Sequence, residues 1–132
     1  MTVVLLDSSV IFDHLNGRFR RTEFLMRLMN QGHIFASCPV TLTEVYSGVR
    51  SGEEKKTEAF LNSLEFLPVT QEVARHAGLL RRDWQKKGQT LSYTDVTIAA
   101  IALSNDVPLL TDNKKHFPMA ELELLPLPER GG

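Results

Sequence analysis

Short apolar runs alternate along the chain with longer segments in which apolar residues recur at helical spacing. The short runs predict strands at 3–6, 34–36, 65–69 and 107–110, with 122–125 as a candidate fifth strand. The longer segments predict a helix ended by Gly17 and further helices at 21–31, 41–50, 53–63, 71–87 and 93–104. Strands that alternate with helices predict an α/β fold, with a short and mainly parallel sheet flanked by helices.

Length and composition suit one globular domain. Of the 132 residues, 42% are apolar and 23% are charged, which is enough to build an independent core. We expect a single domain over residues 1–126 and a frayed tail over 127–132. Cys38, the single cysteine, is predicted to be a small buried residue, which fits a reducing compartment. No secretory pattern or membrane-length apolar stretch is present, so a cytoplasmic protein without membrane contact is expected.

The formal net charge of −1 argues against a protein that binds nucleic acid mainly through non-specific phosphate contacts. Any nucleic-acid contact must then be local. Three basic clusters are candidates, although solvated surface is the favoured interpretation of each: Arg18, Arg20 and Arg21; Arg81, Arg82, Lys86 and Lys87; Lys114, Lys115 and His116.

Acidic and amide side chains occur where the predicted strands end and where helices begin. Asp7 directly follows the first strand, and Asp112 and Asn113 come just after the fourth. Glu44 and Asp95 are each predicted to lie in the first turn of a helix. Because functional sites of parallel sheets lie beyond the carboxyl ends of the strands, we expect these side chains to converge on one pocket.

Each acid also has a purely structural interpretation. Glu44 follows Thr41, and Asp95 follows Ser92, by three residues, which is the spacing of a capping box. Asp7 could cap the first helix, and Asp112 could belong to a turn. Taken singly, each acid is better explained in this way, and only the combination of all of them favours a shared site.

A shared site of carboxylates favours a divalent cation. Clustered carboxylates raise each other's pKa, and a cation relieves their repulsion. Oxygen ligands without a Cys or His cluster favour Mg²⁺ or Mn²⁺ over zinc. Such a site suits phosphodiester hydrolysis. Ser9, Thr94 and Thr111 are predicted to orient the carboxylates, with local caps and turns as their alternative role.

Four segments together resemble the motifs of the PIN-domain family, particularly its VapC-type toxins. They are LLDSSVIFDHL at 5–15, TEVYSGV at 43–49, YTDVTIAA at 93–100 and LTDNKKHF at 110–117. They occur in the family's order and with similar spacing over nearly the whole chain. The resemblance implies a PIN-like three-layer fold and a Mg²⁺- or Mn²⁺-dependent endoribonuclease.

The resemblance also implies site residues and partners. Asp7, Glu44 and Asp95 would be the metal ligands, with Asp112 as a further catalytic residue. Asn113 occupies the family's usual fourth position, so either Asp112 or Asn113 would fill it. The protein would cleave RNA, form a homodimer and bind a cognate antitoxin in the active-site groove.

Two other function classes are weighed against the nuclease. One is a catalytically weak or inactive PIN-like module that binds RNA or a protein, which the near-neutral charge and Asn113 favour. The other is a phosphotransfer protein. A phosphatase of the haloacid-dehalogenase type would need a second aspartate two residues after Asp7, and Ser9 stands there. A receiver domain would carry its phosphoacceptor after a central strand, whereas Asp7 follows the first strand. A nucleotide-binding enzyme is also disfavoured, because the sequence contains neither a P-loop nor a Gly-x-Gly-x-x-Gly motif.

Three further residues carry structural expectations. Asp13 is predicted to be an exposed helix residue and His116 a surface residue. Gly48 is placed inside a helix, where it would allow close packing against a neighbouring helix.

Overall fold

The computed structural model describes residues 2–130, and within them four parallel strands form one sheet in the order β3-β2-β1-β4. The strands are β1 (Thr2–Leu6), β2 (His33–Ser37), β3 (Glu65–Phe66) and β4 (Leu109–Leu110). The helices are α1 (Ser8–Leu15), α2 (Arg21–Asn30), α3 (Pro39–Ser47), α4 (Glu54–Asn62), α5 (Gln71–Lys86) and α6 (Tyr93–Asn105), and a 3₁₀ turn spans Lys114–His116. The predicted α/β fold with a parallel sheet is confirmed.

The central strands separate two hydrophobic clusters, which makes the domain three layers thick. Successive residues of a strand point to opposite faces, and in β1 the side chain of Leu5 joins one cluster while those of Val4 and Leu6 join the other. The Leu5 cluster packs against α5 and the apolar α6. The Val4 cluster packs against α1, α2 and α4. Cys38 is buried, as predicted, and burial raises the pKa of its thiol.

Two of the predicted strands are shorter in the structure, and the candidate fifth strand is almost absent. β3 is an exposed edge strand of two residues, and Pro68 follows it without an N–H to extend the ladder. Pro108 likewise cannot donate, so β4 begins only at Leu109. In the segment 122–125, a single parallel bridge joins Leu124 to Leu109.

The beginning and end of α3 differ from the prediction. Pro39 occupies the first turn, where its fixed φ favours helix initiation, so α3 starts earlier than position 41. Thr41 is therefore buried inside the helix and cannot be the cap that a capping box with Glu44 requires. Gly48 is the C-cap residue rather than an interior residue. A Cβ there would lie 3.0 Å from the Phe12 ring, which agrees with the predicted close packing.

None of the helices formed by residues 2–130 is long and apolar enough to cross a membrane.

Candidate active site

Asp7 is the buried centre of the candidate site, at the carboxyl end of β1. Its backbone N–H donates to the Leu110 carbonyl of β4, which fixes the chain between two strands. One carboxylate oxygen accepts from the backbone N–H of Ser8 at 2.9 Å, so Asp7 also caps α1. The other accepts from the hydroxyls of Ser9 at 3.1 Å and Thr111 at 2.7 Å. The predicted orienting roles of Ser9 and Thr111 therefore have a direct geometric basis.

Glu44 and Asp95 approach Asp7 from two helices. Glu44 is the sixth residue of α3, not a first-turn residue as predicted, and its carboxylate accepts from the Ser8 hydroxyl at 3.2 Å. Asp95 does lie in the first turn of α6, where its backbone N–H donates to the capping Ser92 hydroxyl at 3.0 Å. The Ser92 cap is thus as predicted, while the cap proposed for Glu44 is wrong.

The three carboxylates influence one another electrostatically. Partial burial is the largest cause that raises the pKa of Glu44, and the charges of Asp7 and Asp95 raise it further, against a lowering hydrogen bond from Ser8. Partial burial also raises the pKa of Asp95, with the Asp7 charge in the same direction. The Ser92 hydrogen bond and His116, whose Nδ1 lies 3.5 Å from Asp95 Oδ2, oppose that increase.

The chemistry of these donors suits a hard divalent cation, although the side chains are not arranged as a closed ligand shell. Among residues 2–130, no three acidic, histidine or cysteine side chains stand close enough together to hold an ion. The oxygen-only donors and the raised pKa values of Glu44 and Asp95 still fit Mg²⁺ or Mn²⁺, because a cation would relieve the mutual repulsion. The half-buried side chains of Glu44 and Asp95 would have to move toward Asp7 for all three carboxylates to contact one ion.

The remaining predicted site residues occupy the neighbouring segment or lack contacts to the acids. The backbone N–H groups of Asp112 and Asn113 donate to the hydroxyls of Ser9 and Thr111, respectively. The Asn113 side chain is exposed. Thr94 is half-buried, and no side-chain hydrogen bond joins it to the acids within the described part of the chain.

The Asp112 carboxylate belongs to a network of two acids and two arginines, which we call the Asp13 network. Arg21 lies 3.5 Å from Asp13 and 3.6 Å from Asp112, and Arg130 pairs with the same two carboxylates. Arg21 is fully buried and Asp13 nearly so. The expectations of an exposed Asp13 and of a solvated Arg21 are therefore wrong.

The segment 127–130 is held against the domain by this network. The Pro128 carbonyl accepts from Arg21 Nη1 at 3.0 Å, and Leu127 packs against the Val4 cluster. Contrary to the expectation of a frayed tail, residues 127–130 make specific contacts. Residues 131 and 132 lie outside the described range.

No local sequence pattern indicates the Asp13 network, because Asp13 and Arg21 are far along the chain from Asp112 and Arg130. A backbone feature that no local pattern indicated brings them together. Phe19 and Arg20 both adopt left-handed conformations with a φ of 54°, which is unusual for non-glycine residues. The resulting bend places the Phe19 ring 4.6 Å from the Arg130 guanidinium and directs Arg21 into the interior.

Comparison with known proteins places this architecture in a family. A family model described as PIN domain matches residues 4–122. Ribonuclease VapC19 of Mycobacterium tuberculosis is 35% identical over 115 residues, which cover 87% of this chain and 92% of that protein. Ribonuclease VapC10 of the same organism is 32% identical over 119 residues, which cover 90% and 89%.

Solved structures agree at the level of the fold. VapBC2 from Rickettsia felis, solved with a DNA fragment from its promoter, matches 94% of this chain and 98% of its own with a TM-score of 0.79 and 23% identity. VapBC-1 from nontypeable Haemophilus influenzae matches 94% and 97%, with a TM-score of 0.80 and 20% identity. The chain therefore belongs to the PIN-domain family and lies among its VapC-type members.

Proposed function

We propose that this protein is a metal-dependent endoribonuclease that hydrolyses RNA phosphodiester bonds and acts as the toxin of a toxin–antitoxin pair. The observation that carries the proposal is the buried carboxylate of Asp7, held at the end of β1 by Ser8, Ser9 and Thr111 and coupled electrostatically to Glu44 and Asp95. The relatives reported above, which bear the name ribonuclease, support the same chemistry.

Asp7, Glu44 and Asp95 would hold Mg²⁺ or Mn²⁺. A bound ion of this type supplies a polarised phosphoryl oxygen and a water of lowered pKa. Ser9 and Thr111 keep Asp7 in one rotamer, so that little conformational entropy is lost when its carboxylate becomes a ligand. Of the two candidates for a fourth donor, Asp112 is already shared between two arginines, so we assign that role to the exposed Asn113.

We further propose a protein partner of the antitoxin type and a homodimeric assembly. The structural neighbours include a toxin–antitoxin complex from Klebsiella pneumoniae, with a TM-score of 0.74. On this chain, Met26 and Met29 are more than half exposed beside a cleft of about 250 Å³ that also contacts Leu25 and Phe60. Exposed apolar side chains around a cleft are typical of a surface that a partner covers. Light scattering of the protein alone, and of the protein co-expressed with the product of any small adjacent open reading frame, tests both assemblies.

The decisive experiment is cleavage of structured and single-stranded RNAs in EDTA, Mg²⁺ and Mn²⁺. Wild type is compared with Asp7→Asn and with Asp106→Asn, all purified identically. Asparagine can still cap α1 at position 7, and it tolerates the left-handed conformation of the exposed Asp106, so both variants should fold. We expect metal-dependent cleavage by wild type and Asp106→Asn, and a loss of about a hundredfold or more in Asp7→Asn.

Two other outcomes would contradict the nuclease. Cleavage that persists in Asp7→Asn would assign the activity to a contaminant or to other residues. A folded, partner-free wild type that binds RNA but cleaves none of it with either metal would favour the catalytically inactive binding module.

A further inference from the structure

A cleft of about 480 Å³ opens beside the candidate active site, between the segments 111–116 and 127–130. Its wall includes the cations Lys114, Lys115 and Arg130, and the acids Asp112 and Glu129. Asp112 is compensated by Arg21 from behind the cleft and by Arg130 from within it. The two arginines balance the charges of Asp13 and Asp112. This leaves Lys114 and Lys115 against Glu129, which is a small local excess of positive charge in a chain whose formal net charge is −1.

Arg130 is held in the cleft with part of its guanidinium group still available. Its Nε pairs with Asp112 and its Nη2 with Asp13, while the Phe19 ring lies 4.6 Å from the guanidinium carbon. The side chain remains 45% exposed, and Nη1 has no hydrogen-bond partner among residues 2–130. A planar group fixed by two acids and an aromatic ring loses little further entropy when its remaining donors bind an oxyanion.

The cleft is continuous with the acids of the candidate site. Thr111 lies on its wall and donates to the Asp7 carboxylate, and His116 lies on its wall beside Asp95. Lys114 and Lys115 are exposed in the short 3₁₀ turn between them, and neither makes an ion pair within the described residues. A polyanion bound along the cleft would thus continue directly to the acids.

We propose that this cleft binds the phosphodiester backbone of single-stranded RNA next to the bond that is cut, with Lys114, Lys115 and the pre-positioned Arg130 as its phosphate contacts. The proposal rests on the proposed ribonuclease function and adds the path of the strand to it. The Asp13 network then has a direct role, because it holds Arg130 in the cleft and keeps Asp112 from repelling the phosphates.

Equilibrium binding tests the cleft separately from catalysis. All variants are made in the Asp7→Asn background and titrated in EDTA against a short fluorescein-labelled single-stranded RNA, with anisotropy recorded over a series of salt concentrations. The cleft variant is Lys114→Gln/Lys115→Gln. The matched control is Lys55→Gln, an exposed lysine of α4 that does not line the cleft.

We expect the double lysine variant to lower the salt slope of log K by about 1.4, since each contact to a single strand contributes about 0.7, and to raise Kd about tenfold or more near 0.1 M salt. Lys55→Gln should leave both unchanged. Arg130→Gln should lower the slope by about 0.7, whereas Arg130→Lys keeps the charge and should restore the slope. A purely structural role of Arg130 would not produce this pattern in the salt slope.

The failure of this proposal is distinguishable from the failure of the nuclease. If the cleft variants bind RNA as Lys55→Gln does, or if no variant binds RNA, the cleft proposal is overturned, whatever the cleavage assay shows. If binding depends on the cleft but no metal supports cleavage in the Asp7-containing protein, the cleft stands and the nuclease fails. Loss of partner binding in the cleft variants, with RNA binding unchanged, would assign the cleft to an acidic protein segment instead.

Discussion

The buried Arg21 provides the sharpest test of how this fold is held together. Its guanidinium is fully buried between α1 and the segment 127–130, with Asp13 at 3.5 Å, Asp112 at 3.6 Å and a hydrogen bond to the Pro128 carbonyl. Arg21→Met keeps much of the aliphatic volume but removes the charge and all of these contacts. We therefore expect a large loss of stability from a residue that the sequence assigns to a solvated basic cluster.

The magnitude follows from the partners that the substitution leaves behind. Removing one member of a buried ion pair costs about 3–5 kcal/mol, mainly because the other charge remains buried and uncompensated. Arg130 still pairs with both Asp13 and Asp112 in the variant, so the cost should fall at the lower end. A loss of about 3 kcal/mol lowers the Tm of a domain of this size by about 10 °C.

Thermal and urea unfolding followed by circular dichroism measure this loss, in EDTA and at one fixed protein concentration, because metal and assembly both shift the apparent stability. The matched control is Arg18→Met, an exposed arginine that precedes α2, for which a change within about 0.5 kcal/mol is expected. The double variant Asp13→Asn/Arg21→Met should lose at least about 1 kcal/mol less than the sum of the single variants.

The reasoning is refuted if Arg21→Met unfolds within about 0.5 kcal/mol of Arg18→Met, or if the single losses simply add in the double variant. Additive losses would show that Asp13 and Arg21 are not energetically coupled. A loss as small as that of Arg18→Met would show that the buried ion pairs contribute little net stability.

Three further predictions concern Glu44 and two glycines. Because burial and the neighbouring acids raise the pKa of Glu44 above its ordinary value of 4.5, the folded protein binds this proton more tightly than the unfolded chain does, and stability falls as pH rises through that window. Glu44→Gln should therefore raise the Tm in EDTA at pH 7, and the gain should vanish below pH 4.5. In saturating Mg²⁺ the effect should reverse if Glu44 is a ligand. A lower Tm in EDTA would contradict the repulsion. Gly78→Ala, in the exposed interior of α5 with open space around it, should stabilise by about 0.5–1 kcal/mol. Gly48→Ala should destabilise by about 1 kcal/mol, because its Cβ would meet the Phe12 ring at 3.0 Å, and equal unfolding midpoints for the two glycine variants would contradict this packing.

The fold was accessible from the sequence because its elements follow strong local rules. The apolar run before Asp7 and the apolar α6 predicted buried elements at the right places, and the Ser92 cap fixed the start of α6 correctly. The Glu44 cap failed because Pro39 starts α3 earlier than the threonine pattern suggested. Here two local rules competed, and the proline, with its fixed φ, determined the register of the helix.

The Asp13 network was inaccessible for a different physical reason. Its stability depends on pairing between residues on either side of a bend and between residues at opposite ends of the domain, and neither hydrophobic period nor capping spacing reports such contacts. Arg21 belongs to a sequence cluster with Arg18 and Arg20. The left-handed backbone at positions 19 and 20 directs Arg21 into the interior, whereas Arg18 and Arg20 remain exposed. A run of charges predicts a solvated surface correctly on average, and it misses the one member that the tertiary structure buries.

Two groups of acids therefore lie at one edge of the sheet, and they differ in whether arginines neutralise their charges. Asp13 and Asp112 are neutralised by arginines, whereas Asp7, Glu44 and Asp95 have no arginine or lysine partner among residues 2–130. Two hydroxyls join the groups mechanically: Ser9 donates to Asp7 and accepts from the Asp112 N–H, and Thr111 donates to Asp7 and accepts from the Asn113 N–H. The neutralised group can thus hold the edge rigid. Burial and the neighbouring acids disfavour the charged forms of Glu44 and Asp95, and a bound cation would relieve this. Separating the two tasks keeps the repelling carboxylates in place without an arginine or lysine beside them, and among the described residues only His116 approaches Asp95. A site for a divalent ion needs carboxylates that are not already paired with strong cations, and the proposed site meets that condition.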